Sequence, residues 1–356
     1  MATLSINPTM IILARELRGL NQVDVAEKLK VTQGTLSKIE MGLMPINNEL
    51  LKNLSKILDF PTGFFSREGK TFPPNLYYRK KVRTSKLLQT KDEALMNVHS
   101  LNIQTLLKSI DFDRGNIPNF DVEIDGSPIT IAKKLRYLWQ VPNGPINNLF
   151  QLIESKGIII VLCNFASPDI DGRSMFTERG DIMIFLNSNY PIDRQRYTLA
   201  HELFHVIAHL HCSIPETRDI EKEANLFAGE FLIPEDDLRK FIQDPTTIEV
   251  LADLKRYYRM SMQSILQKIS ITKPLTANQQ KYLWATIMKL GFKKHEPSEL
   301  DPPIERPVLL KKMLNIFKND LNYSDEEMEK LFYIKKQEIN SLYNYWDNLS
   351  KFKIVA

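Results

Sequence analysis

Thr198-Leu-Ala-His-Glu-Leu-Phe-His-Val-Ile-Ala-His209 is the stretch on which the reading of this 356-residue chain turns. Inside it, His201-Glu202-Leu203-Phe204-His205 sets two imidazoles four residues apart with a carboxylate between them. On a helix, positions four apart share a face, so both rings can reach one zinc ion. Glu202 projects slightly around the same face, where it can serve as a general base. The flanking Leu199, Ala200, Leu203, Phe204, Val206, Ile207 and Ala208 are apolar and predict a buried helix. Two histidines and a glutamate inside such a helix require a metal or a dense hydrogen-bond network, because burying them without partners is costly.

Working outward, Asp193 is expected to cap the start of this helix. Upstream, residues 129–140 and 145–155 read as two amphipathic helices, the second closed by Gly157. Ile158 to Cys163 is an apolar run of strand length. Asp171-Gly172 reads as a turn, and residues 174–176 and 181–187 flank Arg179-Gly180 as a hairpin. A small sheet beside a helix with two zinc ligands is the arrangement of zincin metallopeptidases.

A catalytic zinc keeps three protein ligands and one open position. Residues 219–233 have helical character stopped by Pro234, and Glu221, Glu223 and Glu230 compete for the third place. Glu221 and Asn225 lie four apart beside the small-residue ridge of Ala224 and Ala228. Glu221 is therefore the preferred ligand, with Asn225 fixing a histidine ring through its second nitrogen; Glu223 is the main alternative. His209 and His211 are read as surface or supporting residues, since three successive histidines on a straight helix do not surround one ion. Cys212 reads as a small apolar residue.

Residues 127–270, through Arg196-Tyr-Thr198-Leu-Ala200-His201-Glu202-Leu-Phe-His205 and Glu221-x-x-Ala224-Asn225-x-Phe227-Ala228-x-Glu230-x-Leu232-x-Pro234, resemble the ImmA/IrrE family of zinc peptidases. The resemblance implies a Zn2+ cofactor held by His201, His205 and Glu221, with Glu202 as general base. It also implies a protein substrate, often a repressor. Phe204 stands where that family usually has glycine, a change that narrows the cleft or strengthens packing.

The amino-terminal residues 8–66 read as short helices. Pro8 opens the first, Gln22 to Leu29 forms the second, and Thr32 caps a third over Gln33 to Met41, stopped by Gly42. A fourth runs from Asn48 to Leu58 with Leu50, Leu51, Leu54 and Ile57 inside, and Phe60 to Phe65 starts a fifth. Two short helices with a tight turn between them make a helix-turn-helix whose second helix enters a major groove. Its outer face carries Gln33, Thr35, Ser37 and Lys38, side chains that reach base edges and phosphates. The pattern Gln22-x-x-Val25-Ala26-x-x-Leu29-x-Val31-Thr32-Gln33-x-x-x-Ser37-x-x-Glu40-x-Gly42 resembles the Cro/C1-type (Xre) family. That resemblance implies DNA contacts from Gln22 and the second helix, an operator duplex as partner, and a homodimer. Lys30 replaces the glycine usual in the turn.

Charge agrees with this division. The chain carries +4 at pH 7, yet residues 1–90 hold 14 Lys/Arg against 7 Asp/Glu. A local basic excess suits phosphate binding. Composition is globular, at 43% hydrophobic and 25% charged residues. Two cysteines exclude a disulfide framework, and neither a signal peptide nor a membrane-length apolar run is evident, so the expected compartment is the cytoplasm.

Residues 67–86, with Pro73, Pro74 and a run of Tyr, Arg and Lys, read as a solvated linker. Residues 87–112 read as a helix that joins domains or supports dimerisation. Beyond the zinc domain, residues 248–254 and 260–266 suggest a helix pair in core support, and 276–292 a further helix. Residues 296–307 read as a proline-rich connector, and 308–350 as two helices with stripes ending at Leu342 and Trp346. The fold class is mainly α with a small β-sheet (α+β). The expected division is a helix-turn-helix domain at 8–66, a linker and connecting helix at 67–126, a zincin-like domain at 127–270 and a helical region at 271–356. The function expected is a DNA-binding transcriptional regulator with a zinc metalloendopeptidase domain. The alternatives are a regulator whose zinc domain senses a ligand or metal without proteolysis, and an antitoxin or phage-type repressor.

Overall fold

The computed structural model describes residues 5–71, 85–177, 179–210, 214–215, 217–242, 246–273 and 275–343. Most of the linker from 72 to 84, together with His211, Cys212 and Trp346, lies outside the described residues. The protein is mainly α-helical with one three-stranded sheet. It forms two compact units, Met1–Asp113 with Cys163–Ile170 and Val308–Ala356, and Arg114–Leu162 with Asp171–Pro307. No described helix is long and apolar enough to cross a membrane.

In the first unit, local capping sets the helix boundaries. Asn7 caps Pro8–Leu17, and Asn21 and Asp24 form a reciprocal capping box on Gln22–Leu29. The Thr32 side chain accepts from the Thr35 N–H at the start of Gln33–Glu40, and Asn47 caps Asn48–Leu58. Lys30 occupies the left-handed region at φ 57°, the conformation its glycine counterpart would adopt without a Cβ penalty. Met10, Ile11, Leu13, Val25, Ala26, Leu36, Leu51 and Leu54 form the buried faces. Leu50 and Ile57 are only half-buried, and Leu58 takes the interior position instead. Residues Thr62–Ser66 make a 3-10 turn that buries Phe64 and Phe65.

The helix expected over 87–112 runs Lys86–Leu106 and packs against Pro8–Leu17. It buries an unusual set of polar residues, Asp92, Asn97, His99, Ser100 and Asn102. Asp92 accepts the Ala166 and Ser167 N–H groups at 2.7 and 2.8 Å. Buried Arg67 donates to Asn102 Oδ1 at 2.8 Å and to the Phe332 carbonyl, and Asn102 donates to the Tyr343 hydroxyl. Among the described residues after 308, the chain forms three α-helices rather than the two expected. Leu309–Asn315 widens into a π turn at Ile316–Asp320, Ser324 caps Asp325–Phe332, and Tyr333 at φ 54° breaks the chain before Lys336–Tyr343. Arg18 and Glu338 pair at 2.9 Å within this unit.

Complete burial pushes His99 down to about 3, with the Tyr343 ring edge-on at 5.2 Å. The unfolded chain takes up a proton below the ordinary value of 6.5, whereas the folded chain does not until about pH 3. The stability held in neutral His99 is therefore complete above pH 6.5 and lost as pH falls toward 3. By linkage the loss reaches on the order of 4 kcal/mol. Denaturant titrations of wild type and His99→Gln across pH 4–7 should show a flatter pH dependence in the variant; equal slopes would contradict this account of His99.

In the second unit, Ser127 caps Pro128–Leu138. The helix expected over 145–155 is shorter, Leu149–Glu154, because Asn148 caps it and residues 145–148 stay in loop. Gly157, at φ 84°, turns the chain into β1 (Ile158–Cys163); a Cβ there would lie 2.3 Å from the Arg114 carbonyl oxygen. The hairpin pairs β2 (Gly172–Phe176) antiparallel with β3 (Ile182–Asn187), Gly172 opposite Leu186 and Phe176 opposite Ile182. The sheet order β1-β3-β2 makes β3 central, and all six of its residues are buried. Gly172 belongs to β2 rather than to a turn. A Cβ on it would lie 2.6 Å from Thr198 Cγ2, so its absence lets the strand press against the helix that carries the histidines.

That helix spans Ile192–Phe204 and passes directly into a π turn at His205–His209. Asp193 does not cap it. Pro191 holds the N-cap position, and Asp193 lies within the first turn, where it accepts from buried Lys255 at 2.7 Å. Lys255 also meets Glu296 at 2.9 Å, and fully buried Arg196 pairs with Glu305. The expected connector at 296–307 is thus tied to the helix directly through Arg196–Glu305 and indirectly through Lys255, which bridges Glu296 and Asp193. Ile248–Tyr258 and Met262–Thr272 form the anticipated pair in core support, followed by Ala277–Lys289.

Candidate metal centre and helix-turn-helix face

His201 and His205 project from the Ile192–Phe204 helix and its π continuation, and Glu221 from the first turn of the facing helix Ile220–Leu232. The two Nε2 atoms lie 3.0 Å apart. Glu221 Oε2 is 3.4 Å from His201 Nε2, and Oε1 is 3.8 Å from His205 Nε2. One ligand atom from each residue falls within 4.8 Å of the others. Zn–N bonds of about 2.0–2.1 Å in tetrahedral geometry separate two ligand nitrogens by about 3.3 Å, so this donor set fits such an ion.

The outer nitrogens are also engaged. Asn225 Oδ1 lies 3.2 Å from His201 Nδ1 and accepts from the Tyr197 hydroxyl at 3.0 Å. Asn225 is a carbonyl acceptor at that point, so His201 Nδ1 carries its proton and Nε2 keeps its lone pair. Glu223 and Glu230 are turned elsewhere. Glu223 faces His209 and Arg218, and buried Glu230 pairs with Lys268.

His201 is half-covered and His205 buried, while Glu221 retains 35% side-chain exposure, so the group is open on the Glu221 side. Burial lowers His201, but its hydrogen bond with Glu221 and the charges of Glu202 and Glu221 outweigh it and hold the ring above its ordinary range. Burial and the neighbouring His201 and His209 drive His205 well below its ordinary range. Glu202 is 2% exposed. Burial raises its carboxyl, opposed by His201 and by Arg173 and Ser174 of β2. A carboxyl raised by burial holds a proton more readily than a free one, the property a general base needs when it must pass that proton on.

Residues 153–270 match the model of the IrrE N-terminal-like domain, a peptidase family, and residues 11–65 match a helix-turn-helix model. The chain joins a Cro/C1-type helix-turn-helix to an IrrE-like domain. No curated protein matches it.

Within the IrrE-like domain, Phe204 is fully buried and lies in the core rather than the cleft. It stacks on Phe227 at 4.8 Å and meets the His209 ring edge-on at 4.9 Å. His209 is not a surface residue: it is 1% exposed, and its Nδ1 lies 2.7 Å from His205 Nδ1. Sequence reasoning also passed over Tyr197, Arg173 and Ser174. Tyr197 had a signal, since it precedes His201 by four positions and so shares its helix face. Arg173 and Ser174 had none, because only the pairing of β2 with β3 places them near Glu202.

On the helix-turn-helix, Gln33 and Lys38 are exposed, and Gln22, Thr35 and Ser37 are half-buried. Gln33 Nε2 donates to Gln22 Oε1 at 2.6 Å, and Gln22 Nε2 donates to Glu40 Oε2 at 2.7 Å. Buried Glu40 also takes a two-pronged pair from Arg15 at 2.7 and 3.2 Å. The Thr35 hydroxyl is 2.8 Å from that of Thr32 at the helix cap.

Proposed function

We propose that the protein is a DNA-binding transcriptional regulator whose IrrE-like domain is a zinc endopeptidase acting on a regulatory protein, such as a repressor. The observation that carries the reading is the convergence of His201 Nε2, His205 Nε2 and the Glu221 carboxylate, with the Glu202 carboxyl beside them. Zinc held there would acidify water and polarise a peptide carbonyl.

The protein side of the reaction follows from the residues. His201, His205 and Glu221 supply the donor set and leave its Glu221 side open to a peptide. Asn225 holds the His201 ring and is itself held by Tyr197. Glu202 accepts a proton from the attacking water and returns it to the departing amine, a role suited to a carboxyl whose affinity for protons burial has increased.

On the regulator's other side, Gln22, Gln33, Thr35, Ser37 and Lys38 meet the operator duplex. The Glu40–Gln22–Gln33 chain holds Gln33 Oε1 and one remaining amide hydrogen toward the groove, a donor and an acceptor for a base edge. A homodimer would place two such helices on a two-fold operator in the cytoplasm.

One experiment with two arms tests this. Cells receive wild type, the Gln33→Ala/Ser37→Ala chain, or the His205→Ala chain; operator occupancy and new protein N-termini are then mapped. The first variant should lose specific occupancy by about 10-fold or more, since each base contact contributes about 1–3 kcal/mol. The second should keep occupancy and lose the cleavage products. Unchanged occupancy in the first would remove the recognition-helix assignment. No wild-type cleavage products would favour a domain that senses a metal or ligand and cuts nothing.

A further inference from the structure

We propose that His209, anchored by Glu223 and Arg218, is a positioning residue that fixes the His205 ring in the tautomer needed for metal binding. The inference rests on the metal-centre reading of His201, His205 and Glu221. His209 Nε2 lies 2.9 Å from Glu223 Oε2, and Arg218 grips the same carboxylate through Nε at 2.9 Å and Nη2 at 2.7 Å. A carboxylate paired with a guanidinium is an acceptor only, so His209 Nε2 donates to it. In the neutral ring, His209 Nδ1 is then an acceptor. Its neighbour at 2.7 Å is His205 Nδ1, which must donate. The proton on Nδ1 leaves His205 Nε2 bare, and that nitrogen faces His201 Nε2 and Glu221.

The backbone is shaped to make this contact. In a regular helix the rings of residues four apart sit one turn apart along the axis. Here the helix widens to a π turn over His205–His209, closed by the Leu210 N–H to His205 carbonyl bond at 3.0 Å. The widening places the His209 ring against the back of His205, while Phe204, edge-on at 4.9 Å, packs against it. Asn225 serves His201 and His209 serves His205, so each ring is oriented from behind by a different group.

The test measures zinc affinity of the full chain by competition with a chromophoric chelator. His209→Leu should weaken zinc binding by about 10–100-fold, the usual cost of losing an outer-shell partner. His209→Gln should stay within a few-fold of wild type, because a carboxamide offers an acceptor to His205 Nδ1 and a donor to Glu223. Glu223→Leu removes the acceptor that holds the proton on His209 Nε2, frees the ring to take the other tautomer, and should weaken binding toward the His209→Leu value. Since Glu223 lies near the surface, that variant gives a reading even if His209→Leu does not fold. Long-range proton–nitrogen spectra of the metal-free wild type should show the Nδ1–H form at His205. Wild-type affinity in folded His209→Leu, or in Glu223→Leu, would overturn the proposal, provided that His205→Ala abolishes binding. If His205→Ala binds zinc as wild type does, it is the metal-centre reading that fails.

Discussion

Glu202→Gln is expected to lower peptide cleavage by about 10²–10⁴-fold while zinc content and operator binding persist. The amide keeps the shape of the carboxyl but can neither take a proton from water nor return one to the departing amine. Glu202 is outside the set of His201, His205 and Glu221, so the donor atoms are unchanged. Replacing a buried carboxyl whose ionisation burial disfavours should not destabilise the fold, so lost activity with an unchanged melting transition is the expected pattern. The readout is turnover of the substrate whose new N-terminus identifies it, alongside metal analysis of the same preparation. Retained turnover would remove Glu202 from the mechanism.

The second large effect is structural. Glu305→Ala is expected to cost about 3–5 kcal/mol, because it strands a buried charge. Arg196 is fully buried and Glu305 is 4% exposed. Besides Arg196, Glu305 Oε2 accepts the Leu149 N–H at 2.7 Å, at the first turn of Leu149–Glu154. Arg196 holds a second bond to the Ile146 carbonyl at 2.8 Å, but burial already lowers its proton affinity and Glu305 is the charge opposing that. Because Arg196 lies five residues before His201 on the same helix, the loss should appear in denaturant unfolding of the second unit. Glu305→Gln, which keeps an acceptor for Leu149, should cost less than Glu305→Ala. A cost below about 1 kcal/mol for the alanine variant would show that the strap at 296–307 does not hold this helix.

The parts that were legible in the sequence share a physical cause: their signals are local. The Thr32 cap, Gly42 and Pro8 mark helix-turn-helix boundaries within a residue or two. The four-residue spacing of His201 and His205 puts them together on any helix. Glu221 and Asn225 were legible because their spacing and a small-residue ridge predict a shared face toward the first helix. What stayed hidden depends on partners far along the chain. Asp193 looks like a cap until Lys255, 62 residues away, is known to take its carboxylate. Residues 296–307 look like a connector because prolines dominate them, yet Glu296 and Glu305 turn inward to Lys255 and Arg196. His209 reads in the sequence as a surface or supporting residue, because three successive histidines on a straight helix do not surround one ion. The structure buries it behind His205 at a π turn, and nothing in the composition of His205–His209 announces that turn. The burial of Asp92 and Asn102 on Lys86–Leu106 depends in the same way on backbone and side chains from segments remote in sequence.

The account stands on the claim that His201, His205 and Glu221 hold one zinc ion. The direct measurement is zinc titration of the metal-stripped full chain by calorimetry, with His201→Ala, His205→Ala and Glu221→Ala alongside. One equivalent bound tightly by wild type, with affinity lower by at least about 100-fold in each variant, is the predicted result. Stoichiometric zinc bound equally well by all three variants would contradict it.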